Sequence, residues 1–261
     1  MTEHKILITG GNGNLAKELR KQYNCNCPPK QELDVTDYHQ VRDYLLHHPE
    51  ISIIIHAGAI TSVAKCESEK KLAYDVNVNG TKNIIKAIND NDHYKSGSSR
   101  EIKLIYISTP CVFDGKTGNY DEDSLPQPEN YYGLTKYISE ELVRSSGLKH
   151  LIIRTNFVVK EDWMYPKAFT DRYGTYLFAE QVVGQMAMHI SNSEGIIHIV
   201  GKDKISMFEL AKITTPKVGK LTLKEYYKNM NLIDGFIAVP KLTIDMTMKS
   251  KRWHATEIDR S

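Results

Sequence analysis

Tyr132 and Lys136 stand four residues apart in the run Tyr132-Gly133-Leu134-Thr135-Lys136. On a helix that spacing puts both side chains on one face. A free phenol has a pKa of roughly 10 and is a poor acid–base group at neutral pH. A neighbouring ammonium stabilises the phenolate and lowers that pKa, and a lysine in this position can also hold ribose hydroxyls. The pattern alone occurs by chance on many amphipathic helices, so its context decides. Upstream, Tyr106-Ile107-Ser108-Thr109 ends an apolar run of strand length, and Val112-Phe113-Asp114-Gly115 follows. A hydroxyl at the carboxyl end of a parallel strand lies in the crevice where open α/β sheets bind ligands. Thr109 is placed there to hydrogen-bond a carbonyl oxygen beside the tyrosine. Hydroxyl, phenol and ammonium together make a set for hydride transfer to or from a carbonyl carbon.

Hydride chemistry needs a dinucleotide, and the start of the chain offers a turn for one: Thr9-Gly10-Gly11-Asn12-Gly13-Asn14-Leu15-Ala16. It follows a predicted strand, Lys5 to Thr9, and opens a predicted helix, Leu15 to Gln22. Glycine is needed where backbone turns sharply and approaches a pyrophosphate closely. The helix start aims free N–H groups and its positive dipole end at the phosphates. Gly10, Asn12, Gly13, Asn14 and Leu15 are the residues expected there, with Ala16 as a small replacement for a third glycine. An acidic residue after the second strand would favour NAD, but Asn24 to Lys30 reads NCNCPPK. Lys30 would suit a 2′-phosphate, although a solvated lysine needs no ligand to explain it. NADPH is therefore the expected coenzyme and NADH the alternative.

The elements that must position these groups alternate between short β-rich runs and helical-period runs, the pattern of a parallel sheet covered on both faces. Besides Lys5 to Thr9, strands are expected at Ile51 to His56, Lys103 to Ser108 and Leu151 to Thr155. Pro28 and Pro29 restrict the second strand to a short or edge position. Leu72, Val76, Ile84, Ile85 and Ile88 suit one long helix, and Lys95 to Arg100 a polar loop. The expected fold is a Rossmann-type doubly wound sheet over residues 1–156. A smaller substrate-binding lobe over 157–261 would hold a helix from Thr175 to Ile190 and return a strand, Ile196 to Val200, to the main sheet. In 261 residues, 34 basic and 32 acidic side chains give a net charge of +2, which makes no electrostatic case for nucleic acid or an anionic membrane. No apolar run approaches membrane-spanning length and no signal segment opens the chain, so a cytoplasmic protein is expected. Cys25, Cys27, Cys66 and Cys111 have no metal-ligand spacing, read as ordinary reduced thiols, and no metal is expected.

The segments ITGGNGNLA, LDVTD, HAGAITSVAKCESEKKLAYDVNVNGT, YISTPCVFDGKTGNYDED and PENYYGLTKYISEE resemble, in order and wording, those of the extended short-chain dehydrogenase/reductases. They are most similar to the group of dTDP-4-dehydrorhamnose reductases, over roughly the first 158 residues. The resemblance implies pyrophosphate binding by Gly10, Gly13, Asn14 and Leu15, adenine contacts by Asp34 and Val35, and a coenzyme wall of Ala57, Gly58, Ala59 and Thr61 after the fourth strand. It makes Asn77 a support of the site, Thr109, Tyr132 and Lys136 the catalytic set, and Phe157 an aromatic near the sugar, with Pro110 beside it at the substrate. The implied activity is NAD(P)H-dependent reduction of the C4 carbonyl of a nucleotide-linked 4-keto-6-deoxy sugar. A nucleotide-sugar epimerase and a non-catalytic dinucleotide-binding subunit are the alternatives, and the oligomeric state, a homodimer included, is left open. The group usually carries Asp and Tyr where this chain has Pro110 and Cys111. Proline supplies neither an acid nor a backbone donor, which argues against a dehydratase. The closing segment, Val239-Pro240 to Trp253, resembles the group's only loosely.

Overall fold

The computed structural model describes residues 5–93, 101–233 and 241–260. Strands form where the chain is continuously apolar: β1 (Lys5–Thr9), β3 (Ile51–His56), β4 (Lys103–Ser108) and β5 (His150–Thr155), with a two-residue β2 (Cys25–Asn26) after β1. A sixth strand, Gly195–Ile199, comes from the C-terminal part of the chain. Across the sheet the order is Gly195–Ile199, β5, β4, β3, β1, β2, and every neighbouring pair is parallel. β2 is an edge strand, ended by the prolines that follow it.

Helices cover both faces, as a parallel sheet requires. They are α1 (Asn14–Gln22), α2 (Tyr38–His47), α3 (Val63–Ser68), α4 (Lys70–Tyr74), α5 (Gly80–His93), α6 (Tyr131–Arg144) and α7 (Ala179–Met186). Because strand side chains alternate, Ile6, Ile8, Ile53, Ile55, Ile105 and Ile107 face one layer. There they meet Leu15 and Leu19 of α1 and Val182, Val183 and Met186 of α7. Leu7, Ile54, Leu104, Tyr106 and Ile152 face the other, against Val41 and Leu45 of α2, Ile84 and Ile88 of α5 and Val143 of α6. Each of these side chains contributes roughly 1.5–3 kcal/mol by leaving water. The architecture is the Rossmann-type doubly wound α/β fold.

Three local expectations are corrected. No strand lies between residues 29 and 37. Asp34 folds back to accept from the Thr36 amide and hydroxyl, and Asp37 caps α2 by accepting from the His39 and Gln40 amides. Such Asx turns and caps compete with strand pairing, so the strand before Ala57 is the third along the chain rather than the fourth. The long helix through Leu72 and Ile88 is divided: α4 passes through a wider π turn, Asp75–Asn79, into α5. Thr175 to Phe178 is extended, with Leu177–Phe178 paired to Phe157–Val158, and α7 is only eight residues long. The expected loop at Lys95 to Arg100, and Val239 and Pro240, lie outside the described residues.

The chain leaves β1 towards β2 on one side and returns as β3 on the other. This reversal opens a crevice above the carboxyl ends of β1 and β3. The C-terminal segment closes its far side. Asp245–Met246 pairs with Tyr173–Gly174, and the Ile244 and Asp245 amides donate to the Gly115 carbonyl. A Cβ at Gly115 would lie 2.3 Å from Thr243 Cβ, so a bare backbone is needed there.

Candidate active site

The glycine turn lines the crevice. Gly10 has φ +74°, and a Cβ on it would sit 2.7 Å from Gly58 Cα. Only glycine meets both demands. The Gly13 amide donates to the Gly10 carbonyl at 2.8 Å, and no side chain among the described residues caps α1. The first-turn amides of α1 are thus left to a ligand, as an anion site at a helix start requires. Beneath the turn, Thr9 Oγ1 lies 2.6 Å from His56 Nδ1, and His56 Nε2 lies 3.0 Å from Thr81 Oγ1. Burial pulls the His56 pKa down to about 3, so the ring is a neutral strut joining β1, β3 and α5. A cleft of 420 Å³ runs from Gly10, Asn12 and Gly13 past Gly58 and Ala59 to Lys30, Asp34 and Val35. Lys30 Nζ is 3.4 Å from the Asp34 carboxylate.

A second cleft of 620 Å³ shares Gly10, Asn12, Gly13, Ala57 and Ala59 with the first and adds Asn14, Leu15 and Thr61. Its other wall carries Thr109, Tyr132, Lys136 and Phe157. α6 is set into this wall by its first turn. Asn130 caps it by accepting from the Gly133 amide at 2.9 Å, and Glu67 accepts from the Tyr131 amide at 2.7 Å. A Cβ on Gly133 would lie 2.0 Å from the Cys111 carbonyl oxygen. The glycine inside the Tyr-x-x-x-Lys run therefore lets α6 press against the turn Pro110–Val112, which brings Tyr132 beside Thr109 and Cys111. Asn77, on the π turn, accepts from the Ile60 amide and donates to the Ile60 carbonyl and to Thr135 Oγ1 at 2.8, 3.1 and 3.0 Å. It ties the loop after β3 to α6; π turns recur at functional sites.

Lys136 Nζ donates to the Ile107 carbonyl at 2.7 Å and stands 4.0 Å over the Tyr106 ring. Burial pulls its pKa down to about 7, against a weaker upward pull from Glu140. Tyr132 is pushed up, first by burial and then by the Cys111 thiol, while its hydrogen bond with Thr109 acts the other way. This corrects the expectation that Lys136 lowers the phenol. In the closed wall, loss of water outweighs a lysine whose head is turned to a carbonyl.

Pro110 is a second correction. It is buried in the turn and does not line the cleft, whereas Cys111 does. Asn156, Arg172 and Met246 also line it and were not foreseen. Gly133 was a signal within reach, since a glycine inside a helical pattern marks a close approach. Arg172 and Met246 had none, because only the pairing of Asp245–Met246 with Tyr173–Gly174 brings them to the wall. Among the described residues no group of three or more His, Cys, Asp or Glu side chains is arranged to hold a metal, and no helix is long and apolar enough to cross a membrane.

A family model described as the RmlD substrate binding domain matches residues 4–173. A spore coat polysaccharide biosynthesis protein, SpsK, of Bacillus subtilis is 27% identical over 250 residues, covering 85% of this chain and 84% of that one. A dTDP-4-dehydrorhamnose reductase of Aggregatibacter actinomycetemcomitans is 32% identical over 164 residues, 60% of this chain and 52% of its own length. Among solved structures, a dTDP-4-dehydrorhamnose reductase of Bacillus anthracis in complex with NADP superposes with a TM-score of 0.83. Its identity is 25%, and the match covers 98% of this chain and 95% of that one. The glycine turn, the Thr109–Tyr132–Lys136 wall and most of the sheet fall within residues 4–173, and the chain belongs to the RmlD substrate binding domain family.

Proposed function

We propose that this protein is an NADPH-dependent oxidoreductase of the extended short-chain dehydrogenase/reductase type that reduces the C4 carbonyl of a nucleotide-linked 4-keto-6-deoxy sugar. The observation that carries this reading is the continuity of the two clefts. One wall of glycines and helix amides leads directly to a phenol, a hydroxyl and an amine. The first cleft fits the adenosine end of a dinucleotide, and the uncapped start of α1 fits its pyrophosphate. Asp34 and Val35 would lie at the adenine, and Gly58, Ala59 and Thr61 along the coenzyme. NADPH bound there supplies the hydride.

The protein's own groups manage the oxygen and the proton. Thr109 donates a hydrogen bond to the carbonyl oxygen and aligns it. Tyr132, held protonated by burial, gives its proton to the alkoxide that develops there. Lys136 has three N–H donors when charged, and among the described residues one is committed, to Ile107. The others are available to ribose hydroxyls and to the phenolate left behind. Proton transfer of this kind is worth about a hundred- to ten-thousand-fold in rate. The test is NADPH and NADH consumption by the purified protein with dTDP-, UDP- and GDP-linked 4-keto-6-deoxy sugars. Net oxidation with one of them, lost in Tyr132→Phe while coenzyme still binds, is expected. Turnover equal to wild type in Tyr132→Phe, or no oxidation with any of the three, overturns the reading.

A further inference from the structure

Two thiols stand side by side at the edge of the first cleft, away from the reacting wall. Cys25 is on β2, and Cys27 follows two residues later. On an extended chain that spacing puts both side chains on one face, and the two Sγ atoms lie 3.3 Å apart. Two strand rises span about 6.4–6.8 Å, the upper end of the Cα separations, roughly 4.4–6.8 Å, that a disulfide bridges. Both residues are half-buried, whereas Cys66 and Cys111 are buried. Cys25 and Cys27 are therefore within reach of each other and of a solute. The backbone that carries them presses on the glycine turn. A Cβ on Gly11 would lie 2.6 Å from the Cys27 carbonyl oxygen and 2.7 Å from that of Pro28. Arg20 crosses the same contact: its guanidinium donates to the Gly11 carbonyl, and its charge acts on the Cys27 thiol. Pro28 goes on to line the 420 Å³ cleft with Gly11 and Lys30. A shift of Cys27 thus reaches the turn with no slack to absorb it.

We propose that Cys25 and Cys27 are a site of reversible oxidation, and that the disulfide they form weakens dinucleotide binding in the adjoining cleft. The oxidant is a low-molecular-weight disulfide such as oxidised glutathione. The Cys25 thiolate attacks one of its sulfurs and expels a thiolate, leaving a mixed disulfide on Cys25. Cys27 then gives up its proton, attacks the Cys25 sulfur and expels the second thiolate. Two protein thiols are oxidised, one small disulfide is reduced to two thiols, and the two protons pass to the expelled sulfurs. Cys25 attacks first because burial pushes the Cys27 thiol up to about 12, and the thiolate is the nucleophile. In the second step Cys27 already stands against its target, and that proximity offsets its reluctance to ionise. Bond formation brings the sulfurs from 3.3 Å to about 2.0 Å. The pull passes into the Cys27–Pro28 backbone and from there to Gly11, whose neighbours Asn12 and Gly13 lead into the start of α1. The proposal rests on the reading that this cleft takes a dinucleotide.

The test is fluorescence titration of the full chain with NADPH before and after incubation with oxidised glutathione, with intact-mass and peptide mass spectrometry of each sample. Wild type should lose the mass of two hydrogens, mapped to Cys25 and Cys27, and should bind NADPH at least fivefold more weakly. Dithiothreitol should reverse both changes. Cys25→Ser should bind NADPH as reduced wild type does and keep that affinity through the same treatment. Cys27→Ser should stop at the mixed disulfide on Cys25, one glutathione heavier, which reads the order of the two steps. Wild type that forms no disulfide between Cys25 and Cys27, or that forms it and binds NADPH unchanged, overturns the proposal. So does a weakening that persists in Cys25→Ser. Reduced wild type that binds neither NADPH nor NADH removes the dinucleotide reading and the control with it, and the mass change then shows whether the thiol pair reacts on its own.

Discussion

Lys136→Met should stabilise the coenzyme-free protein while abolishing its turnover, and the gain should shrink as pH rises. In the folded chain burial pulls the lysine pKa from 10.5 to about 7. Between those values the unfolded chain binds more protons than the folded one, so stability rises with pH across the window. The charge penalty that Lys136 imposes on folding is then about 4 kcal/mol at pH 7 and about 2 kcal/mol at pH 9, an order-of-magnitude linkage estimate. Methionine carries no such penalty but leaves the Ile107 carbonyl unpaired, which costs roughly 1–3 kcal/mol. The net gain should be about 1–3 kcal/mol at pH 7 and close to zero at pH 9, with roughly 2–4 °C in Tm for each kcal/mol at this chain length. Urea unfolding of both proteins at the two pH values measures it. Slopes from all other titrating groups cancel in the difference. A difference in stability that is the same at pH 7 and pH 9 would refute the claim that the lysine is held in a water-free wall against its charge.

Three further outcomes follow from the packing. Gly133→Ala forces a methyl into the Cys111 carbonyl; it should displace α6, lower kcat/KM at least tenfold and leave NADPH bound mainly by the glycine turn, read by fluorescence titration. Glu140→Ala strands the Arg154 guanidinium, whose Nη2 lies 2.7 Å from Glu140 in a pair almost wholly out of water. The loss should be roughly 3–5 kcal/mol in urea unfolding, and a loss under 1 kcal/mol would show that water reaches the pair. Asn77→Leu removes three hydrogen bonds that join the loop after β3 to α6; kcat should fall more than Tm, and an unchanged kcat would mean that α6 is held without it.

How much of this was legible in the sequence depends on the range of the interactions involved. The strands Lys5–Thr9, Ile51–His56 and Lys103–Ser108 could be read because a parallel strand is apolar on both faces, and four to six such residues stand out locally. The glycine turn could be read because Gly10 answers to a single backbone demand. Residues 29–37 could not. Their turn is made by Asp34 and Asp37 bonding to backbone a few positions on, chemistry that looks the same in sequence whether a strand or a helix follows. The extended path of Thr175 to Phe178 was hidden for another reason: helical spacing of apolar residues there coincides with burial against Phe157–Val158, and tertiary pairing overrides propensity. Arg172 and Met246 reach the cleft from two stretches far apart in the chain, a long-range pairing that no local pattern encodes. Pro110 and Cys111 were visible as departures, but which of the two lines the cleft depends on the turn, and it is Cys111 that does.

The raised phenol pKa bears on the direction in which such a site works. Reduction of a ketone consumes a proton at the new alkoxide, so the acid must carry its proton when the reaction begins. Oxidation needs the same group as a base. A tyrosine buried against Cys111 and Met246, with the lysine head turned to the Ile107 carbonyl, is held in the protonated form. In the proposed reduction the acid would therefore carry its proton before a substrate enters. Once the proton has left, Lys136 is four residues away on the same helix and near half-charged at neutral pH. It can take up a proton and meet the phenolate then, when the charge exists to be stabilised. The two opposed shifts put the phenol pKa above neutral and the amine pKa near it, so the lysine can help to replace the proton that the phenol gives up.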